Sequence, residues 1–226
     1  MARHPGRAGA LLAGAPACAG ARHLGLVLAL IWPQAGAAEG GWPAVGLITH
    51  GTLVPGAAVC TGTLVAPDLE QTAAHCVGDD PSSLRFAAGW AAGRAVAEGK
   101  GREVTREEGT GPAGDLALVR LEAAMGVVPL PPARGTAGTL VAVAYRRDDT
   151  SRPVTLRDCA VVVADPPLLA LDCAVVSGNS GAPLLVRGPG GWQVAAVLVA
   201  QVKSPGPIRA VAAIPDAALR AVIAGR

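Results

Sequence analysis

The sequence predicts an all-β fold, as two small antiparallel β-barrels packed side by side with a C-terminal α-helix. Three observations lead there. Short runs of β-branched and aliphatic residues recur between Gly, Pro and Asp borders, as in VGLITH (45–50), GTLVA (62–66), DLALVRL (115–121), TLVAVAY (139–145), CAVVVA (159–164), LLALDCAVV (168–176), APLLV (182–186) and WQVAAVLVAQV (192–202). The segment VPLPPARGTAG (128–138) is too rich in Pro and Gly to sustain a strand, and it splits the chain into two lobes of similar size. Helical spacing emerges only near the end, in PDAALRAVIAG (215–225), where Leu219, Val222 and Ile223 share a face between a Pro and a Gly.

The first element is not part of that fold. Arg3, Arg7 and Arg22 precede the apolar run LGLVLALIW (24–32), and small residues AGAA follow at 35–38. A basic start, a short apolar stretch and a small-residue site read as a secretory signal peptide over residues 1–37. The apolar run is far short of the roughly 20 residues that cross a bilayer. The mature chain, 38–226, is thus expected to be secreted or periplasmic, with no stable membrane span.

Without the leader, Lys+Arg falls from 19 to 16 against 17 Asp+Glu. No basic cluster is left to hold nucleic acid. Apolar residues make up 51% of the chain and charged ones 16%, which excludes a disordered chain. Cys60, Cys76, Cys159 and Cys173 remain, an even set in an exported chain, so disulfides are favoured over metal ligands. Three pairings are open, and proximity along the chain favours Cys60–Cys76 and Cys159–Cys173.

The expected boundaries are a first barrel over about 42–128, a linker over about 129–138, a second barrel over about 139–213 and a helix over about 215–224. Within the first lobe, RAVAEGKGREVTREEGTGPAG (94–114) reads as an exposed polar hairpin or loop. Two lobes meeting at a cleft make a natural ligand site.

The stretch GNSGAPLL (178–185) raises the question of chemistry. A serine hydroxyl is a poor nucleophile unless an adjacent base takes its proton. The mature chain offers His50, inside an apolar run and expected to be structural, and His75, beside Cys76. The blocks CTGTLVAPDLEQTAAHC (60–76), GDLALVRL (114–121) and GNSGAPLL (178–185), in that order, resemble the chymotrypsin-like (trypsin-fold) serine proteases. The resemblance runs from about Trp42 to Ile223 and looks closest to short bacterial members of the glutamyl endopeptidase type.

That resemblance implies a general base at His75, an orienting carboxylate at Asp115, a nucleophile at Ser180 and an oxyanion hole from the N–H groups of Gly178 and Ser180. It also implies a polypeptide substrate, with no cofactor and no metal, in a chain expected to be a monomer. The order His, Asp, Ser differs from that of the α/β-hydrolases, whose motif also needs a glycine where Ala182 stands.

Departures from the family pattern carry expectations of their own. Asn179 stands where animal-type members carry the aspartate that pairs with a newly cut N-terminus, so no such activation switch is expected. Glu70 and Gln71 replace two apolar residues, and at least one is expected to reach solvent or a partner. Val199 falls where a serine often supports the catalytic aspartate. The substrate pocket is expected from Ala174, Val175, Ser177, Val199 and Gln201, accepting a small or apolar side chain, with Gln201 narrowing it. The alternative function is a catalytically weak or inactive protease-fold protein that binds peptides or partners.

Overall fold

The computed structural model describes residues 42–52, 57, 59–157, 159–203 and 205–225. The expected signal peptide lies outside them. Six strands of the first half close into an antiparallel barrel: β1 (Val45–His50), β2 (Cys60–Ala66), β3 (Leu69–Ala73), β4 (Leu84–Ala88), β5 (Ala97–Arg106) and β6 (Leu116–Leu121), in the order β1-β2-β3-β6-β5-β4. Alternation decides which side chains go inside. Ile48, Leu64, Phe86, Val119 and Leu121 fill the barrel, while their neighbours Leu47, Val65 and Leu118 point outward into a second core.

The second half forms a seven-stranded antiparallel sheet from β7 (Val141–Ala144), β8 (Val154–Leu156), β9 (Val161–Asp165), β10 (Leu168–Leu171), β11 (Pro183–Gly188), β12 (Gly191–Gln201) and β13 (Ala210–Ala213). Its order is β8-β7-β11-β12-β13-β10-β9. The two edge strands, β8 and β9, are consecutive in the chain. Laid flat, seven strands would set the edges about 29 Å apart at about 4.8 Å per step. Five Cα steps from Leu156 to Val161 reach about 19 Å at most. The sheet therefore rolls up on itself, around a core that includes Leu140, Leu169, Leu171, Leu184 and Leu198.

The two halves share one core. Val45, Leu47, Leu116 and Leu118 from the barrel join Val141, Val143, Leu185 and Val197 from the sheet in one buried cluster. Each fully buried aliphatic side chain of this kind contributes about 1.5–3 kcal/mol. Both expected disulfides are present, Cys60–Cys76 and Cys159–Cys173. The helix α1 (Ala217–Ile223) follows Pro215, its first turn capped by the Asp216 carboxylate accepting from Leu219 N–H at 2.7 Å. It stops before Gly225, whose φ of +71° a side chain would resist.

One expectation needs correction. The polar 94–114 stretch contains the ten-residue strand β5, which pairs with both β4 and β6. Its glycines serve close packing rather than turning: a Cβ on Gly101 would overlap the Pro81 carbonyl, and one on Gly99 would press on Met125 Sδ. Glu70 and Gln71 are both buried, and neither Glu70 oxygen nor Gln71 Nε2 has a partner among the described residues. Burial raises the Glu70 pKa well above the ordinary carboxyl value, which favours the neutral acid inside the barrel.

Candidate active site

Strand register brings the first two candidate residues together. Antiparallel pairing of β3 with β6 ends at Ala73 opposite Leu116, so the residues just after β3 face the residue just before β6. The one-turn 3-10 helix Ala74–Cys76 thus lands on Asp115. That residue holds the turn at three points. Its carbonyl accepts from Ala74 N–H at 3.1 Å, Oδ1 from His75 N–H at 2.9 Å, and Oδ2 lies 2.7 Å from His75 Nδ1.

An acceptor-only carboxylate at Nδ1 requires the proton to sit on that nitrogen, which leaves Nε2 free to accept. The side chains are 48% exposed for His75 and 21% for Asp115, so the imidazole opens toward solvent. Cys76 ties the turn to Cys60 at the head of β2. From outside the cleft, His50 Nε2 lies 2.9 Å from the Cys76 carbonyl, with Nδ1 at 2.8 Å from Ser83 Oγ.

Ser180 arrives from the other half. It sits in the tight turn between Ser177 and Ala182, half-buried, with Gly178 at φ +99° and Gly181 at φ +83°. Only glycine fits those backbone angles without strain, and space forbids a side chain as well. A Cβ on Gly181 would overlap Thr61 O and Thr72 Oγ1 of the barrel, and one on Gly178 would lie 2.7 Å from Arg147 N. The Ser180 carbonyl accepts from Thr61 N–H at 2.8 Å. Thus the serine turn docks on Thr61, whose neighbour Cys60 anchors the histidine turn. Among the described residues, no hydrogen bond joins His75 Nε2 to Ser180 Oγ.

Backbone geometry aims two donors beside the serine. The Ser177 carbonyl is held by Arg147 N–H at 2.8 Å, and the Asn179 carbonyl by Ala182 N–H at 3.0 Å. Across a trans peptide the N–H points opposite to the carbonyl, so the N–H groups of Gly178 and Ser180 are turned away from those partners. Neither donates to a protein acceptor among the described residues.

Asn179 between them is 2% exposed. Its Oδ1 accepts from Val176 N–H and its Nδ2 donates to the Tyr145 carbonyl, both at 2.8 Å. A neutral amide satisfied at both ends serves the turn without any charge partner.

Beside Ser180 lies a cavity of about 120 Å³, lined by Val175, Val176, Ser177, Asn179, Ser180, Leu198, Ala200 and Gln201. Of the five pocket positions expected from sequence, Val175, Ser177 and Gln201 line it. Ala174 is exposed and does not, and Val199 is buried in the core shared by the two halves. Gln201 crosses from β12 to the opposite wall, donating from Nε2 to the Val175 carbonyl at 2.7 Å. His75 Nδ1 or Nε2 and the sulfurs of Cys60 and Cys76 lie within 4.8 Å of one another, but both sulfurs are spent in the disulfide and offer no thiolate to a metal.

Sequence reasoning missed Thr61, although it lies within the block 60–76. Its hydroxyl looks like any strand threonine until the other half of the molecule is folded against it.

A closed barrel and a rolled sheet, with a serine turn and a histidine turn meeting at their boundary, define a serine-protease fold. The trypsin-like peptidase domain family matches residues 60–196, and the chain belongs to that family. Similar solved structures include a thermostable serine protease, AL20, from an extremophilic microorganism, at 18% identity and TM-score 0.59, covering 76% of this chain and 90% of that one. Another is a Glu endopeptidase in complex with MPD, at 22% identity and TM-score 0.61, covering 81% of this chain and 89% of that one. At those identities the likeness is one of fold. No curated protein matches the chain. Among the described residues no helix is long and apolar enough to cross a membrane.

Proposed function

We propose that this protein is an exported serine endopeptidase in which Ser180 is the nucleophile, His75 the general base and Asp115 the carboxylate that orients it. The observation that carries the reading is the grip of Asp115 on His75, by ring and backbone together. It fixes the tautomer that leaves Nε2 able to accept a proton. Ser180 Oγ attacks the substrate carbonyl carbon as Nε2 takes its proton, and the carbonyl π electrons move to oxygen. The N–H groups of Gly178 and Ser180 stabilise that oxyanion. His75 then protonates the leaving amine as the C–N bond breaks, and water releases the acyl group by the same steps.

The cavity supports a small or apolar side chain at the cleaved position. Val175, Val176, Leu198 and Ala200 give it an apolar side without any charged group among its lining residues, and the Gln201 amide occupies the space between β12 and Val175. A peptide library should give Ala and Val at that position ahead of Arg, Lys and Glu; strong preference for any of those three refutes the assignment.

A second reading, a protease-fold module that binds without turnover, draws on the lack, among the described residues, of a His75–Ser180 hydrogen bond, and on Val199, which the sequence sets where relatives often carry a serine. Catalytic hydrogen bonds often tighten only with substrate bound, which favours the enzyme. The test is to export the chain from about Ala38 through an oxidising compartment and treat it with a fluorophosphonate probe. Labelling that disappears in Ser180→Ala supports the peptidase, whereas a folded, unlabelled wild type supports the binding module.

A further inference from the structure

Thr61, the second residue of β2, is wholly buried (0% exposed). Its hydroxyl donates to the Gly178 carbonyl at 2.8 Å and accepts from Tyr145 N–H at 2.9 Å. The direction of its single proton is settled by chemistry: an amide N–H only donates and a carbonyl only accepts. The Thr61 backbone completes the attachment, with N–H on the Ser180 carbonyl at 2.8 Å and carbonyl on Thr72 Oγ1 at 2.8 Å.

Gly178 lies in the serine turn at φ +99°, an angle that glycine adopts without strain. Two peptide planes flank it. The preceding plane is held through the Ser177 carbonyl by Arg147 N–H, and the following plane at two points, its Gly178 carbonyl by Thr61 Oγ1 at 2.8 Å and its Asn179 N–H by the Val176 carbonyl at 3.0 Å. Fixing both planes fixes φ and ψ of the glycine, and with them the orientation of its N–H relative to Ser180, which follows.

We propose that Thr61 is a positioning residue of the oxyanion hole, its hydroxyl holding the Gly178 N–H in register with Ser180. The inference rests on the reading of Ser180 as nucleophile. Adjacent residues of β2 then hold both turns of the site. Cys60 secures the turn that bears the base, and Thr61 secures the turn that bears the nucleophile and the oxyanion donors. Without the hydroxyl, the Gly178 carbonyl loses its partner, and the plane keeps only the weaker, 3.0 Å hold of Asn179 N–H on Val176, about which it can tilt. Because the donors act on charge that develops at the transition state, the loss falls on kcat rather than KM.

The experiment compares Thr61→Val, Thr61→Ser and wild type on a cleavable peptide. It adds titrations with a peptide boronic acid, whose tetrahedral adduct places an oxygen in the oxyanion hole, and with the non-covalent product peptide. Thr61→Val should lose about 10- to 100-fold in kcat with KM within about threefold, a smaller loss than removing a donor outright. Boronate affinity should fall in step with kcat while product affinity stays unchanged, and Thr61→Ser should restore both.

The inference is overturned by a Thr61→Val enzyme with wild-type kcat and boronate affinity, or by Thr61→Ser as impaired as Thr61→Val. Should the valine variant not fold, Thr61→Ala, which needs no extra room, carries the same expectation. A wild type that the fluorophosphonate does not label brings down the nucleophile assignment and this inference with it. An active wild type with an unimpaired Thr61→Val brings down this inference alone.

Discussion

Asp115 spends its two carboxylate oxygens separately, Oδ1 on the His75 backbone and Oδ2 on the ring. An asparagine has the same shape but only one acceptor, so it can serve one of those donors and presents an N–H to the other. Asp115→Asn is expected to retain the turn through the carboxamide oxygen on His75 N–H and to force the imidazole into the wrong tautomer. The loss should be about 10⁴-fold in kcat, as for a triad whose carboxylate is replaced by its amide, with little change in KM; steady-state kinetics on a peptide substrate checks it. The candidate residues His75, Asp115 and Ser180 were legible in the sequence because the blocks 60–76, 114–121 and 178–185 resemble, in order, those of a known family. Thr61 and Glu70 were not, because their roles are set across strands: a hydroxyl becomes an anchor, and a carboxyl a buried acid, only once β2 has met the serine turn and β3 has closed the barrel.

Strands and turns show the same division. The alternating apolar runs that became β1, β6, β11 and β12 carry their burial in their own pattern, whereas β5 is polar and Gly-rich and becomes a strand through β4 and β6 on either side. The serine turn is the element on which activation would act. In it Asn179 is satisfied on both sides by backbone, from Val176 and to Tyr145, so no terminal ammonium is needed to shape it. Chains starting at Ala38, Gly40 or Gly41, or extended by two residues before Ala38, are therefore expected to share one kcat/KM, measured on purified proteins of verified N-terminus. A precursor that is inactive until trimmed to one particular residue would refute this.

At the scale of the whole molecule, two buried acids bear on how the packed halves respond to pH. Glu70 lies inside the barrel, its pKa raised by burial. Glu107 follows β5, and its pKa is pushed up to about 7, first by burial and then by the Asp216 carboxylate at the start of α1. Asp216 N–H and the Arg220 guanidinium act against that rise. Both acids are ordinary carboxyls in the unfolded chain, which ionise near pH 4.5. Between that value and the raised folded one, the unfolded chain has released protons that the folded chain still holds, so stability falls as pH rises. For Glu107 the fall runs from about pH 4.5 to about 7; for Glu70 it starts at the same point and continues through its raised value. Thermal melts of the Ser180→Ala protein, chosen to prevent self-cleavage, should show a midpoint that declines from about pH 5 toward neutrality and beyond. Glu107→Gln should make the segment below neutrality shallower, leaving the slope that Glu70 contributes, because the amide has no proton to lose on unfolding. Glu70→Met should remove the remainder and raise the midpoint at every pH above it, since the cost of leaving a buried polar group without a partner, about 1–3 kcal/mol, disappears with the carboxyl. A melting profile of the parent that rises across the same range would mean that both acids find charge partners as the halves pack, and the neutral-acid account of the interior would be wrong.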